Sequence, residues 1–379
     1  MSGNIAKSLK IIISVLCLLF IFEKAQGAVI LFPELNIYTE MNNEFQAQTS
    51  YRLFMQLDTG LKYGVKVGLG LENYNITSLS SNFVELNSIK IDSTPFDLFD
   101  FSFFFGKNRT LGAFDIGYQG FQYHQDNHLE YIGFHDITGT GFEIARGFLD
   151  DIFYPHVILY TTDKNGTNYL NIDALVKVET DKYIFEFYFG LDNSASYVFE
   201  GVTNVALSKR FGATFRTLFS NVNFYLSVFF PDAPIWEINP VDDIYFNFTQ
   251  HLVSGWFEQT ITFFTRPSIY NGYEERIRGD FLPDIDIYLA LGARFDQFGF
   301  GVENTVLTAA PASYSTTAAP GLVEFSDRVG GYAYFLFNNI KYKLGAFYSL
   351  GPAFTPSDIN NPHSVADTVG GYFHIYGSF

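Results

Sequence analysis

The feature that most constrains this chain is a two-residue alternation of apolar and polar side chains, sustained over long runs. From Ala47 to Asp58 one set reads Ala47, Thr49, Tyr51, Leu53, Met55 and Leu57; the other reads Gln48, Ser50, Arg52, Phe54, Gln56 and Asp58. After a turn at Asp58-Thr59-Gly60, Leu61, Tyr63, Val65, Val67, Leu69 and Leu71 alternate with Lys62, Gly64, Lys66, Gly68, Gly70 and Glu72. Neighbouring side chains on a strand point to opposite faces, so a period of two predicts strands with one apolar and one polar face. The pattern returns over residues 170–178 and 183–191 about Thr180-Asp181. It returns again over 211–230, 244–266, 284–306 and 332–350, turning about Ser220-Asn221, Val253-Ser254, Asp296-Gln297 and Asn338-Asn339.

These strands run to about 10–12 residues, roughly twice the globular norm and enough to cross a bilayer at a tilt. Connections alternate between short turns and long segments, the latter at 73–82, 193–202, 231–242, 267–283, 307–325 and 351–368. Lipid offers no hydrogen-bond partner, so a spanning sheet must close on itself. The expected fold is therefore all-β: a transmembrane antiparallel up-and-down barrel of about 18 strands, within a range of roughly 16–20. Residues 111–135 could hold two further strands or fold inward. A large β-sandwich or β-helix is the competing reading, but it requires shorter strands or a coil repeat of about 20 residues. A barrel this wide is not filled by side chains and leaves a lumen.

Composition agrees. Aromatic residues make up 19% of the 379, with 44 Phe and 25 Tyr, yet mean hydropathy is only +0.08. So aromatic a chain stays neutral only by interleaving apolar and polar residues finely. The N-terminus reads as a secretory signal: Lys7 and Lys10, an apolar stretch over 11–22, then Ala25-Gln26-Gly27. Cleavage there divides the chain into a signal peptide, residues 1–27, and a single barrel domain, residues 28–379. An uncleaved anchor is the alternative, although the stretch is short for a spanning helix. The lone cysteine, Cys17, leaves with the signal, so the mature chain is expected to hold no disulfide and no cysteine metal site. Loss of Lys7, Lys10 and Lys24 against Glu23 takes the formal charge from -17 to -19. Such acidity argues against nucleic acid as a partner.

The last strand reads T-V-G-G-Y-F-H-I-Y-G-S-F, with Val369, Phe373, Ile375 and the terminal Phe379 in one phase. This resembles the terminal signal of bacterial outer-membrane β-barrels, the porin-like superfamily, although Gly377 stands where an aromatic is more usual. The resemblance covers about a dozen residues plus the repeat along the mature chain, and the Phe and Tyr content resembles that of spirochaetal barrels. It implies an integral outer-membrane location, with Phe373, Ile375 and Phe379 read by the barrel-assembly machinery. It also implies short turns on the periplasmic side, long loops outside, and outer-membrane lipid around the wall.

If the apolar set faces lipid, its partners face inward. The basic members are Arg52, Lys62, Lys66, Lys177, Lys182, Arg210, Arg216, Arg294, Lys341 and Lys343. The acidic ones are Asp173, Glu179, Glu186, Glu258, Asp286 and Glu303. Nine of these, Arg52, Lys62, Lys66, Lys177, Glu186, Arg216, Arg294, Lys341 and Lys343, are the candidate pore-lining residues. Arg52, Lys62, Lys66, Lys341 and Lys343 are expected to share one basic sector once the barrel closes. The bland alternative is that such charges only solvate a wet wall. Between Asp92 and Asp151 acids outnumber bases; general porins resemble this, with an inward-folded acidic loop facing a basic wall, but the same acids also suit outer loops and turns.

No G-x-S-x-G, H-E-x-x-H or phosphate-loop pattern occurs, so no enzyme is expected and no cofactor. His124 and His128 lack further ligands, so no metal is expected either. The expectation is a channel for passive diffusion of small solutes. The alternatives are a transporter of hydrophobic compounds resembling the fatty-acid family, or a structural or adhesive barrel. The fatty-acid family carries an N-terminal plug, whereas here the strand pattern begins at Val29. Solute and oligomeric state are not readable.

Overall fold

The structure is a computed structural model that describes residues 29–43, 47–58, 65–76, 86–95, 98–111, 135–164, 167–199, 202–217, 219–234, 245–266, 284–309, 324–350 and 368–377. Eighteen strands follow one another: β1 (Val29–Asn42), β2 (Ala47–Asp58), β3 (Lys66–Ile76), β4 (Leu86–Ser93), β5 (Asp100–Leu111), β6 (His135–Ala145), β7 (Phe153–Lys164), β8 (Thr167–Glu179) and β9 (Tyr183–Phe199), then β10 (Val202–Thr217), β11 (Val222–Pro234), β12 (Tyr245–Ser254), β13 (Phe257–Arg266), β14 (Asp284–Phe295), β15 (Phe298–Ala309), β16 (Glu324–Phe337), β17 (Ile340–Leu350) and β18 (Thr368–Gly377). Every strand pairs antiparallel with its sequence neighbours, and β1 pairs with β18 from Leu35↔Gly377 to Asn42↔Gly370. The sheet thus closes, and no edge is left in the wall.

Local chemistry sets the turns at one end. Asn338 and Asn339 both take positive φ, 49° and 64°, to join β16 to β17. A two-residue hairpin of the twist-matching kind needs that conformation at both positions, and Asn tolerates it better than most residues. Asp296 (φ 43°) opens the β14–β15 turn in the same way. Between β12 and β13 the positive φ falls on Gly255, so this turn sits slightly later than the Val253-Ser254 that the pattern suggested. Strand β3 starts at Lys66 rather than near Leu61, and residues 59–64 lie outside the described residues.

Two sequence expectations are corrected. Residues 193–202 are not a long loop. Strand β9 runs on to Phe199, β10 begins at Val202, and the two stay paired up to Val202↔Phe199. Asn193, Ser194 and Ser196 raised the polarity enough to read as loop, but Ala195, Tyr197 and Phe199 keep the alternation going. Residues 111–135 add no strands to the wall, because β5 pairs directly with β6 through Leu111↔His135. Residues 112–134, with His124 and His128, lie outside the described residues, as do residues 1–28 and Phe379. Within the acidic stretch from Asp92 to Asp151 the described acids belong to the wall and one turn, while Asp97, Asp115, Asp126 and Glu130 lie outside the described residues. Asp92 lies on β4, Asp100 on β5, Asp136 and Glu143 on β6, and Asp150 and Asp151 in the β6–β7 turn.

The outer face is apolar and the inner face polar. On β9, Phe185, Phe187 and Phe189 are exposed, whereas Tyr188 and Gly190 between and beyond them are buried. On β17, Leu344, Tyr348 and Leu350 are exposed while Lys343, Phe347 and Ser349 are buried. Near the short turns the outer face carries aromatic pairs: Phe295 stacked with Phe298 at 5.4 Å, Phe185 tilted against Phe215 at 4.7 Å, and Trp256 edge-on to Phe257 at 6.3 Å. Rings at this height match the aromatic girdle that membrane barrels place at the lipid–water boundary.

Candidate functional site

The inner wall carries the chemistry, and its contacts reveal which side is concave. Neighbouring strands lie about 4.8 Å apart, so residues three or four strands apart meet only if their side chains converge across the inside of a curved wall. Several pairs do so.

Three carboxylate centres line the arc from β13 round to β1. Glu258 on β13 accepts a hydrogen bond from the Tyr334 hydroxyl of β16 and lies 3.6 Å from the Lys341 ammonium of β17. Lys341 sits 4.2 Å from the centre of the Tyr334 ring, and His251 Nε2 is 3.7 Å from the same carboxylate. Glu303 on β15 takes the Lys343 ammonium at 2.6 Å, the Tyr288 hydroxyl at 2.9 Å and the Tyr372 hydroxyl at 2.5 Å. Lys343 in turn stands 4.2 Å over the Tyr332 ring. Glu40 on β1 accepts both Arg328 Nη atoms, at 2.8 and 3.0 Å, and the Tyr38 hydroxyl at 2.7 Å. Arg328 Nε donates to Ser349 at 2.8 Å, and the guanidinium lies 3.9 Å over Phe347.

Two further centres lie on the opposite arc. Arg210 of β10 reaches Asp173 of β8 at 3.2 Å, Asp192 of β9 at 3.1 Å and the Tyr160 hydroxyl of β7 at 2.6 Å. Glu143 of β6 holds His156 Nδ1 at 2.5 Å and Lys90 Nζ at 3.6 Å. Lys90 is also 3.6 Å from Asp92, which accepts from Ser102 at 2.6 Å and Gln56 at 3.1 Å. Taking a charge out of water costs several kcal/mol per ion unless a partner and further hydrogen bonds replace the lost solvation. Each of these centres supplies both. Tyrosine recurs because it bridges distance: its ring fills the space over a glycine while its hydroxyl reaches the acid. The Tyr334 ring lies across Gly299 and the Tyr372 ring across Gly345, where an added Cβ would fall 2.4 and 2.1 Å from ring carbons.

The residues singled out from sequence fall as follows. Lys341 and Lys343 are on the inner face but turn to Glu258 and Glu303 rather than standing as a bare basic patch. Lys66 opens β3 in register with Asp58 and Asp92. Arg52 lies on β2 in register with Asn36 and Glu72, and Lys62 lies outside the described residues. Lys177 pairs with Glu179 on its own strand, and Glu186 accepts from the Thr214 hydroxyl at 2.7 Å. Arg216 and Arg294 are half-buried on β10 and β14. Lys182 is corrected: it belongs to the exposed β8–β9 turn, because the strands end at Glu179 and restart at Tyr183. Phe373 and Ile375 lie in the other phase of β18, packed with Leu35, Ile37, Tyr51 and Ile340.

Sequence reasoning missed Arg328 and Glu40. Arg328 lies before residue 332, the start of the alternation as read from sequence, and Glu40 is not among the inward residues named there. The signal was present: Arg328, Gly330, Tyr332 and Tyr334 continue one phase against Val329, Gly331, Ala333 and Phe335. Among the described residues no three of His, Cys, Asp and Glu gather as metal ligands.

No protein family matches the sequence, and no curated protein resembles it closely enough to be a relative. Solved structures do share its shape. OpdL of Pseudomonas aeruginosa superposes with a TM-score of 0.53 at 9% identity, over 94% of this chain and 99% of OpdL. The P. aeruginosa outer-membrane protein opdK gives 0.49 at 10% identity, over 93% and 99%. Wzi, an outer-membrane protein involved in group 1 capsule assembly in Escherichia coli, gives 0.49 at 11% identity, over 96% and 88%. At such identities the likeness speaks for the fold alone.

Proposed function

We infer that this chain, which has the fold of the bacterial outer-membrane β-barrels, is an outer-membrane channel for passive diffusion of small hydrophilic solutes. On this reading it is exported, loses residues 1–27, and is inserted by the barrel-assembly machinery through its last strand. One observation carries the proposal: a closed wall of 18 strands with exposed apolar side chains outside and hydrogen-bonded charged and tyrosine side chains inside. An apolar exterior suits lipid. A polar interior in a barrel of this strand number suits a water-filled path, since side chains from 18 strands do not fill the space they enclose. Among the described residues of the β13–β18 arc the inner side carries carboxylates, lysines and tyrosine hydroxyls, which favours a hydrophilic solute over a fatty-acid-like one.

Purified, refolded protein added to a planar lipid bilayer tests the proposal. Discrete, voltage-independent conductance steps at low potential support it. A folded, inserted barrel that leaves the bilayer at baseline conductance rejects it in favour of a structural or adhesive role.

A further inference from the structure

We propose that the barrel is flattened and shut at mid-height, and that the inner-wall contacts between distant strands are the staples that hold it so. The inference rests on the channel reading above and concerns how that channel is kept closed.

The staples set the shape. Glu258 on β13 meets Lys341 on β17, four strands away, and Glu303 on β15 meets Tyr372 on β18, three strands away. Arg328 on β16 meets Glu40 on β1, and Arg210 on β10 meets Tyr160 on β7, each again three strands away. Three or four strand spacings measure about 14–19 Å along the wall. Side chains bridge that distance only where the wall bends sharply. The first three contacts bend the arc from β13 to β1, and the last bends the arc from β7 to β10. In a ring of 18 strands these arcs lie on nearly opposite sides. A ring bent sharply at two opposite places is an ellipse. Its long walls, β2–β6 and β11–β12, are drawn toward each other.

Burial on those long walls agrees. Ser227 of β11 and Asn247 and Thr249 of β12 belong to the inner phase and are 0% exposed. On the opposite wall Phe104 of β5 is 0% exposed, and Ile137 of β6 and Ser88 of β4 are buried too. Serine and threonine are short, and on the open, water-filled bore that this strand number allows they would be wetted. Their exclusion from water marks a closed layer. Nearer the short turns the inner phase opens, and the side chains of Lys177 and Glu179 on β8 keep 32% and 43% of their exposure. Two polar atoms record the strain of closing. Ser227 Oγ and Asn247 Nδ2, on residues paired in register, are buried without a hydrogen-bond partner among the described residues. Returning water would satisfy both. Closing therefore carries a cost that opening removes, and the staples must outweigh it. Two states balanced in this way shift when one side is weakened, so loosening a staple favours the open form.

The test uses the mature chain in lipid vesicles. Its only cysteine, Cys17, leaves with the signal, so single cysteines can be introduced one at a time. Ser227→Cys, Thr249→Cys and Ser88→Cys report the closed layer; Lys177→Cys and Glu179→Cys report the mouth. The probe is a water-soluble, membrane-impermeant methanethiosulfonate. A buried thiol reacts only when its surroundings open, so the layer cysteines should react roughly tenfold or more slower than the mouth cysteines. Tyr160→Phe, and separately Arg328→Met with Glu40→Gln, should speed the layer cysteines severalfold, leave the mouth cysteines unchanged and lengthen the open time of conductance steps. The native comparison decides the closed layer even if a staple variant fails to fold. Layer cysteines that react as fast as mouth cysteines overturn this inference and leave the channel reading standing. Layer cysteines that stay equally protected in both staple variants overturn it too, because packing then closes the wall without the staples. Cysteines that behave as expected in a barrel that never conducts remove the channel reading, and with it the role given to the closed layer.

Discussion

Arg328 on β16 grips Glu40 on β1 in a two-pronged ion pair, Nη1 to Oε2 at 2.8 Å and Nη2 to Oε1 at 3.0 Å, although β17 and β18 stand between them. The pair spans the line where the last strand meets the first. Closure of the barrel therefore rests on the β1–β18 ladder and also on a tie across its inner face. Breaking a buried pair leaves a charge without solvent or partner, a cost of about 3–5 kcal/mol when burial is complete. Glu40 keeps some exposure, which places the expected loss toward the lower end of that range, about 3 kcal/mol. Arg328→Ala should lower the temperature at which the folded band converts to the unfolded band on an unheated gel series. Arg328→Met combined with Glu40→Gln should recover most of the difference, because no lone charge remains. Equal loss in the single and double variants would show that the side-chain volume matters and the charge does not.

The assignment of faces makes a paired prediction. Phe187 is exposed on the outer face and Glu186, beside it, points inward to Thr214. An arginine facing the middle of a bilayer costs about 2–4 kcal/mol, falling toward the boundary. Phe187→Arg should therefore cut the yield of inserted barrel, while Glu186→Gln should insert normally. Val65→Arg and Lys66→Ala repeat the comparison at the start of β3, with a smaller difference because both lie near the short turns. Insertion into liposomes, followed by protease protection, reads both pairs. Similar tolerance of Phe187→Arg and Glu186→Gln would reverse or abolish the inside–outside assignment.

Packing inside the wall makes another. A Cβ on Gly345 would stand 2.1 Å from Tyr372 Cε1, so the ring must move, and with it the hydroxyl that donates to Glu303 at 2.5 Å. Gly345→Ala should destabilise the barrel by about 1–3 kcal/mol, the range for overpacking a well-filled site. Gly345→Ala in a Tyr372→Phe background should cost less than the two changes summed, since the hydrogen bond is already gone. Urea midpoints for the four proteins measure this coupling. Strict additivity would show that Tyr372 is not the neighbour displaced.

What was legible in the sequence was what depends on adjacent residues. The alternation around Phe187 and Lys66 placed both faces. Asn338-Asn339 and Asp296-Gln297 placed two turns, because left-handed backbone selects those residue types. The strand count followed from the same signals. What stayed hidden depends on curvature. Nothing in the sequence brings Glu258 to Tyr334, because 76 residues and two intervening strands separate them. Lys341 and Lys343 were legible as inward cations, yet their acids come from β13 and β15, across the concave face, and not from a neighbouring strand. The stretch from Asn193 to Val202 misled because Asn193, Ser194 and Ser196 read as loop from sequence alone, whereas the backbone pairing of β9 with β10 carries on through them.

The terminal strand carries a further expectation. Phe373 and Ile375 share one phase of β18 and pack beside β1 and β17. Phe379 continues that phase in the sequence. Deleting Phe379 should leave the protein unassembled in the periplasm, or lost to proteolysis, when it is expressed in a bacterium with two membranes. Fractionation and an antibody against the chain measure this. Normal levels in the outer-membrane fraction would show that the machinery reads other features.

The central claim is that the enclosed space is a path across the membrane. The most direct measurement is single-channel recording of the purified mature chain, with Lys343→Met/Glu303→Gln as a matched variant that alters the inner wall and leaves the outer face unchanged. The account predicts uniform conductance steps in the native protein and steps of a different size in the variant. Folded, inserted protein that gives no steps, or steps that the variant leaves unchanged together with every other inner-wall substitution, would contradict it.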